Sequence, residues 1–293
     1  MNANYPRGSE WIKCDLHLHT PDTKLNHEGF ELHDGKDKWE EYCKIIEDSD
    51  VQIFGITDYF SFENYFKFIT TFYSFYPDSE KVFFPNLELR LDVAVNKGGE
   101  EVNLHIIFSN RKDVTQGKMN DFLSKLETNI TSDNGSPVCC DKLGTIEEFK
   151  SASIKYSDLR PSLRKVFGDD QPYLIFAASN NQGLRADSKS PRKISISDEI
   201  DKICDGFFGG KQNTAWFLRK DRYEKTFKGN PQMSKPCPVF SGCDAHSFGD
   251  LKNKLGKEYS KKNENQELCD QSQITWIKVE PSFDGLKYLT YEP

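Results

Sequence analysis

The sequence contains no long apolar run: no stretch approaches the roughly 18 consecutive apolar residues that a membrane-spanning helix needs. Residues 1–10 also lack the apolar segment of a signal peptide. A composition of 36% hydrophobic and 29% charged residues is typical of a globular protein with a heavily solvated surface. We therefore expect a cytoplasmic protein with no membrane contact.

Paired CxxC motifs are also missing, although the chain has eight cysteines. Cys139 and Cys140 are adjacent, and Cys237 and Cys243 lie too far apart for a zinc knuckle. Reduced thiols are the expected state in the cytoplasm. This spacing favours neither a disulfide framework nor a zinc ribbon.

A glycine-rich phosphate loop of the GxxxxGKS type is absent, and the net charge of −7 does not favour nucleic-acid binding. Two basic stretches are present all the same, one at 216–228 and one with five lysines between 252 and 262. They fit solvated helix and loop faces, or a groove that follows a phosphate backbone. The sequence leaves both interpretations open.

What the chain does have is a histidine pair, His17 and His19, near the end of an apolar segment that Thr20 and Pro21 interrupt. Side chains two apart on a strand point to the same face. The two imidazoles would therefore leave one strand side by side, where they could bind one metal ion. An HxH motif alone is a weak signal, because two polar residues at a strand end have the same pattern.

Four further apolar segments carry polar side chains of the metal-binding types. The segment 51–58 ends in Asp58, 82–88 ends in Glu88, and 239–246 contains Asp244 and His246. His105 lies within the apolar segment 101–108, where a buried imidazole without a partner would be costly. Ligands at the carboxyl ends of strands are typical of sites in α/β sheets and barrels. The pattern predicts a metal site.

These motifs, DLHLHT, GITD, the Glu of FPNLE, the His of NLHIIF and GCDAH, resemble the PHP (polymerase and histidinol phosphatase) family across residues 11–246. The resemblance implies a metal-dependent phosphoesterase on a distorted seven-stranded α/β barrel. The segments GSEW, GITDYFS, FPNLELR and TWIKVEPSFDGL are similar to the N-terminal PHP module of TrlF-type proteins. That similarity implies an ATPase domain or subunit as partner and a role in defence against phage.

By this resemblance, His17, His19, Glu88 and Asp244 would hold a first metal. Glu88 would bridge to a second metal that also takes His105. His246 would face a third position near Asp58, and Asp15 would orient a histidine. One to three divalent ions per chain are expected, and the mixed histidine and carboxylate ligands suit Zn²⁺, Mn²⁺ or Fe²⁺. The expected reaction is in-line attack of hydroxide on phosphorus without a covalent protein intermediate. Asp58, His105, His246 and Arg185 are the expected catalytic residues.

Two positions depart from the family pattern: Tyr59 stands where many members have a histidine after GITD, and Asn180 stands where another histidine follows a later strand. The centre is therefore expected to be active with one or two metals, to recruit metal with substrate, or to be degenerate. Arg185 and Arg90 are candidates for gripping a substrate phosphate, and each fits an ordinary ion pair equally well.

We consider three functions. The first is a phosphoesterase acting on nucleic acid or nucleotides, including a nuclease module of an ATPase-coupled system. The others are a small-molecule phosphatase of the histidinol phosphatase type and a non-catalytic, metal-stabilised interaction module. In each case we expect one PHP-type domain over 1–293. Its core would span about 11–250, with a mobile loop at 251–273 and a terminal strand and helix at 274–293.

Alternating strand and helix patterns predict a largely parallel sheet or barrel. Helices are expected at 38–47, 62–76, 116–128, 157–166, 213–227 and 283–288, with strands at 82–89, 102–109, 172–178 and 274–279. The polar stretch 131–137 is expected to be a surface loop, and 92–99 a hairpin connection.

Overall fold

Eight strands form one sheet, which nearly closes into a barrel. The computed structural model describes residues 10–25, 29–32, 35–94, 101–178, 194–210, 213–214, 217–218, 236–262, 268–272 and 274–293. In chain order the elements are β1 (Glu10–His19), α1 (Lys38–Asp48), β2 (Val51–Tyr59), α2 (Glu63–Phe75), β3 (Val82–Ala94), β4 (Glu101–Phe108), α3 (Gln116–Leu123), β5 (Glu127–Thr131), β6 (Pro137–Cys139), α4 (Ile146–Ser151), α5 (Tyr156–Phe167), β7 (Tyr173–Ala178), α6 (Ile194–Ile203), β8 (Gly206–Phe208), β9 (Val239–Phe240), α7 (Phe248–Lys254), β10 (Tyr259–Lys262), β11 (Leu268–Ser272), β12 (Thr275–Val279) and α8 (Phe283–Leu289).

The strand order in the sheet is β12-β1-β2-β3-β4-β7-β8-β9. Strands β1, β2, β3, β7, β8 and β9 run in one direction, while β4 and β12 run against their neighbours. Beyond β9 the chain returns to β1 through a parallel bridge between Leu18 and Ala245. The Ser241 amide also donates to Thr275 Oγ1 of β12 (2.7 Å). These contacts bring the two edges of the sheet together.

The prediction of an α/β barrel is therefore confirmed in part: the fold is mixed α/β, and its sheet is barrel-like. The sheet of the described residues has eight strands, whereas seven were expected. The antiparallel β4 also changes how the site is built, because His105 and Glu88 are directly paired in register in the middle of two strands. We had expected these side chains at or near the carboxyl ends of parallel strands.

A cluster of buried apolar side chains fills the inside of the sheet and receives members from all eight strands. Phe283 and Leu286 of α8 belong to the same cluster, so α8 covers one end of it. The helices α1 and α2 pack on the outer face through a second cluster, which includes Tyr42, Phe68 and Leu18. The candidate site lies towards the end where β1 finishes.

An irregularity in β1 turns its histidines inward. The register with β2 shifts between Asp15 and Leu18. Cys14 and Leu16 belong to the inner cluster, whereas Leu18, where the pairing with β2 resumes, belongs to the outer one. A regular strand would keep these three side chains on one face. The bulge reverses the alternation, as bulges beside active sites do, and aims His17 and His19 into the barrel.

Most predicted elements agree with the structure within a few residues, and two differ. The helix expected at 116–128 ends at Leu123, because β5 begins at Glu127 and turns back into β6. The segment 251–273, expected to be a loop, contains the end of α7 and the antiparallel hairpin β10–β11. Most of the helix expected at 213–227 lies outside the described residues.

Within the described ranges, no helix combines the length and apolar character that a membrane span requires.

Candidate metal centre

Four side chains from distant parts of the chain meet at one end of the barrel. His17 and His19 come from β1, Glu88 from β3, and Asp244 from the segment after β9. The Nε2 atoms of the two histidines are 3.2 Å apart. His17 Nε2 lies 3.3 Å from Glu88 Oε2 and 3.2 Å from Asp244 Oδ1. His19 Nε2 lies 3.4 Å from each of the same two oxygens.

These five separations match the spacing of ligands around a single cation. Ligands about 2.0–2.1 Å from a Zn²⁺ ion at the corners of a tetrahedron are roughly 3.3–3.4 Å from one another. Two imidazole nitrogens and two carboxylate oxygens also suit Mn²⁺ or Fe²⁺. The residues expected for a first metal are thus brought together at distances that fit one ion. We call these four side chains the cage.

The cage is buried on three sides and open on the fourth. The side chains of His19 and Glu88 are 0% and 4% exposed, and that of His17 is 13% exposed. Asp244, by contrast, has a side chain that is 55% exposed. A cation held here would be reached from the Asp244 side.

The charges in the cage stabilise positive charge at its centre. Burial lowers the pKa of His19, but hydrogen bonds with Asp244 and Glu88 outweigh it and raise the pKa to about 9. Burial opposes a raised pKa at His17 too, yet Asp244 and Glu88 raise it above the usual value. Burial raises the pKa of Glu88, but the surrounding histidines outweigh it and hold that pKa well below its usual range. The cage therefore attracts a proton or a metal cation.

A tight approach between β1 and the segment after β9 sets the position of Asp244. Gly242 packs against β1 so closely that a Cβ there would lie 2.4 Å from His17 Cβ. The Asp244 amide donates to the His17 carbonyl (3.0 Å), and Asp244 has φ +47°, which non-glycine residues rarely adopt. Strain of this kind is often found at functional sites.

Asp15 connects β1 with the segment after β9. Its buried carboxylate accepts hydrogen bonds from the amides of His17 (3.1 Å) and Cys243 (3.0 and 3.2 Å). Burial raises the pKa of this carboxyl group to about 6 against the effect of these bonds. Asp15 was expected to orient a histidine; its hydrogen bonds fix the backbone at His17 and at Cys243, next to Asp244.

Asp58 lies outside the cage and is connected to His19 through the side chain of Thr23. The Thr23 hydroxyl donates to Asp58 Oδ1 (3.0 Å) and therefore accepts from His19 Nδ1 (3.2 Å). Amides of Lys24 and Tyr59 and the side chain of Asn64 also donate to the Asp58 carboxylate. Asp58 was predicted as a metal ligand and catalytic residue. In the structure its oxygens serve protein donors, and it orients His19 through Thr23.

His105 lies on the other side of Glu88. Its Nδ1 is 3.2 Å from Asn86 Oδ1, an acceptor, so Nδ1 carries the proton and Nε2 has a free lone pair. That Nε2 lies 3.9 Å from Glu88 Oε1, the oxygen that does not face the cage. Burial lowers the pKa of His105 to about 3, which keeps the ring neutral. Oε1 also accepts a hydrogen bond from the Asn103 side chain (2.9 Å), so the second cation expected between Glu88 and His105 stays a prediction.

His246 lies beside the cage on its open side. Its ring centroid is 4.2 Å from that of His19, and its Nε2 lies 3.2 Å from the Tyr59 hydroxyl. The Tyr59 ring stacks on His19 with centroids 4.9 Å apart. His19, Asp244 and His246 offer donor atoms within 4.8 Å of one another, which makes them a second group that could hold a cation.

The predicted arginines have different outcomes. Arg185 lies outside the described residues, as does Asn180, so the role predicted for Arg185 stays a prediction. Arg90 donates to the carbonyls of Lys150 (2.7 Å) and Ala152 (3.0 Å) and lies 3.5 Å from Glu101. Of the two interpretations left open for Arg90, its contacts favour the structural one.

Sequence reasoning missed the residues that support the ligands, chiefly Thr23, Asn86, Gly242 and Phe208. The Phe208 ring packs against His17 (5.4 Å) and His105 (4.6 Å) and forms a wall of the site. A glycine two residues before Asp244 was a readable signal of close approach. The remaining three had no signal, because threonine, asparagine and phenylalanine are ordinary in such segments.

The protein is a mixed α/β protein with a nearly closed, barrel-like sheet. Its cage and the neighbouring group at His246 are side chains that could hold a divalent cation. No protein-family model matches the sequence, and no curated protein matches it either. Among solved structures, the fold is similar to that of a candidate metal-dependent phosphoesterase from Bifidobacterium adolescentis. The TM-score is 0.41 and the identity 10%, over 95% of each chain. Similarity at this level assigns neither a family nor an activity to the chain.

Proposed function

We propose that this protein is a metal-dependent phosphoesterase that hydrolyses phosphoester bonds in nucleic acid or nucleotides. The observation that carries the proposal is the cage, with five ligand–ligand separations between 3.2 and 3.4 Å. Four lone-pair donors at these distances repel one another unless a proton or a cation lies between them. A divalent cation satisfies all four at once.

The donor set suits the chemistry of phosphoester hydrolysis. A cation held here would polarise a phosphate oxygen and lower the pKa of a bound water. The protein's own contribution is to fix the donors: Thr23 and Asn86 select which nitrogen of His19 and His105 is free. Glu88 presents Oε2 to the cage and Oε1 to His105. A second cation on the Oε1 side would replace the hydrogen bond that Oε1 accepts from the Asn103 side chain (2.9 Å).

The half-exposed Asp244 marks the side from which substrate would approach, and His246 and Tyr59 border it. Side chains in this position can contact the phosphate or the departing group. Sequence resemblance supports nucleic acid or a nucleotide as the substrate and an ATPase as the partner. The described lysines of the second basic stretch give less support, because Lys252 and Lys254 pair with Glu41 and Asp250.

The test combines metal analysis with hydrolysis assays. Purified protein is expected to retain a divalent cation and to cleave a phosphodiester in its presence, with no turnover after chelation. His17→Ala and Glu88→Gln should lose both the cation and the activity. Glu63→Gln is the matched control, because it removes an exposed carboxylate that pairs only with Lys24 among its described ion pairs.

Each outcome has a clear meaning. Turnover of single-stranded DNA, RNA or a nucleotide diester would support the proposal and identify the polymer. Turnover of phosphomonoesters alone would favour the small-molecule phosphatase. Cation binding without turnover of any phosphoester would favour the non-catalytic interaction module. Protein that folds but binds no divalent cation would overturn all three.

A further inference from the structure

The hydrogen bonds of His246 identify which of its nitrogens carries a proton. His246 Nδ1 lies 3.0 Å from the carbonyl oxygen of Asp244, and a carbonyl oxygen can only accept. Nδ1 is therefore the donor, and Nε2 of the neutral ring has the lone pair. The Tyr59 hydroxyl, 3.2 Å from Nε2, donates to it. Both nitrogens of His246 are thus engaged within the protein.

The other members of the second group are engaged as well. His19 points Nε2 into the cage and bonds to Thr23 through Nδ1, so it has no nitrogen left for another ion. Asp244 places Oδ1 in the cage, 3.2 Å from His17. By spacing alone, His19, Asp244 and His246 could hold a cation. By hydrogen bonding, only one oxygen of Asp244 is left to bind it.

Contacts of its ring and of its backbone fix the position of the Tyr59 side chain. Its ring stacks on His19 at an interplanar angle of 18° and lies at 29° to the ring of His246. Its amide donates to Asp58, which in turn is connected to His19 through Thr23. The hydroxyl therefore faces His246 Nε2 from a side chain that is fixed at both its backbone and its ring.

We propose that Tyr59 closes the His19–Asp244–His246 position to cations, so that, among the described residues at this end of the barrel, a cation lies in the cage and not at His246. The inference rests on the cation centre of the proposed function. It adds that His246 is a contact at the open side of the site and not a metal ligand.

The first experiment measures cations per chain in purified holoprotein by elemental analysis, before and after His246→Ala. The expected result is an unchanged cation content, because His246 holds no ion. Loss of one cation per chain in His246→Ala would overturn the proposal. The measurement does not depend on turnover, so an inactive but cation-loaded protein would contradict the proposed function and leave this inference standing.

The second experiment tests whether a histidine at position 59 allows the His19–Asp244–His246 position to bind a cation. Tyr59→His removes the hydroxyl and offers an imidazole beside His246, so we expect one additional cation per chain. Tyr59→His combined with His246→Ala should return to the original content. Tyr59→Phe keeps the ring stack and frees Nε2 but adds no ligand, so we expect it to bind the additional cation more weakly than Tyr59→His does.

A Tyr59→His protein that binds no additional cation would overturn the proposal, provided that its circular dichroism and thermal unfolding match those of the unsubstituted protein. If that variant does not fold, the His246→Ala measurement decides the question, since His246 is partly exposed and its truncation leaves the barrel core intact.

Discussion

At the scale of single residues, the chemistry of the centre depends on which nitrogen of each histidine faces the cation. His19 and His105 each use Nδ1 to donate to an oxygen, Thr23 Oγ1 in one case and Asn86 Oδ1 in the other. Nε2 then points in a fixed direction in each ring, into the cage in His19 and towards Glu88 Oε1 in His105. Thr23 and Asn86 do not face the cation position themselves, yet they determine which nitrogen of each histidine can bind a cation.

Thr23→Val tests this support at constant volume. The variant removes the acceptor of His19 Nδ1 and the connection to Asp58, so the ring can rotate or change tautomer. We expect cation affinity to fall about 10–100-fold, measured by competition with a metal chelator. Thr23→Ser keeps the hydroxyl and should bind as the unsubstituted protein does. Equal affinity in Thr23→Val would rule out an orienting role for Thr23.

The pH dependence of cation binding follows from the raised pKa of His19. Without a cation, His19 has a pKa of about 9 and carries a proton at neutral pH. A cation must displace that proton, so apparent affinity should rise with pH up to about 9 and weaken in acid. Calorimetric titrations in buffers of different ionisation enthalpy should show proton release at neutral pH. Binding without proton release would contradict this assignment.

At the scale of elements, the centre depends on how closely the segment after β9 approaches β1. Asp15 bonds to amides on both segments, and Gly242 lies against His17 without a side chain between them. The bulge in β1 places His17 and His19 on the inner face. Asp244 then reaches the histidines only because these two backbones are in direct contact.

Gly242→Ala is expected to disturb the centre more than the fold. A Cβ at 2.4 Å from His17 Cβ forces the two segments apart and moves Asp244 from the cage. Cation affinity should drop at least about tenfold, in line with the effect of misplacing a ligand. The matched control is Gly249→Ala at the start of α7, where the nearest contact is Ser247 Oγ at 3.7 Å.

We expect Gly249→Ala to bind cations normally and to gain up to about 1 kcal/mol in the free energy of unfolding, as glycine-to-alanine changes in helices do. Chelator competition and denaturant titration measure the two quantities. Equal cation affinity in both glycine variants would show that the close approach is not needed.

At the scale of the whole molecule, the cage connects residues 17 and 244 across the point where the sheet closes. Its ligands come from β1, from β3 and from the segment that returns from β9 to β1. A cation bound here therefore joins the two edges of the barrel-like sheet. The unfolded chain has no preformed cage, so binding energy is coupled to folding.

Cation binding should accordingly raise the thermal stability of the protein. At a free cation concentration about 100 times the Kd, the expected gain is about 2.7 kcal/mol, because only the folded state binds. For a domain of this size, the gain corresponds to a rise in Tm of roughly 5 °C. Differential scanning calorimetry with cation and with chelator measures it, and in His17→Ala the difference should disappear. A Tm that is insensitive to the cation in the unsubstituted protein would argue against the cage.

The sequence by itself determined which side chains are available and most of the elements that carry them. Apolar segments ending in histidine or carboxylate predicted β1, β2 and β3, and the helices α1, α2 and α5 lie within about two residues of their expected positions. These are local properties, since apolar periodicity and turn residues act over short stretches of chain. The choice of His17, His19, Glu88 and Asp244 as partners came from resemblance of their motifs.

Only the tertiary structure decided how those side chains are used. The bulge in β1, the antiparallel pairing of Glu88 with His105 and the contact of Gly242 with His17 depend on neighbours far away in sequence. The same holds for Asp58, which orients His19 through Thr23, and for Tyr59, which bonds to His246. A side chain's hydrogen-bond partners are set by which strands become neighbours, and long-range packing determines that.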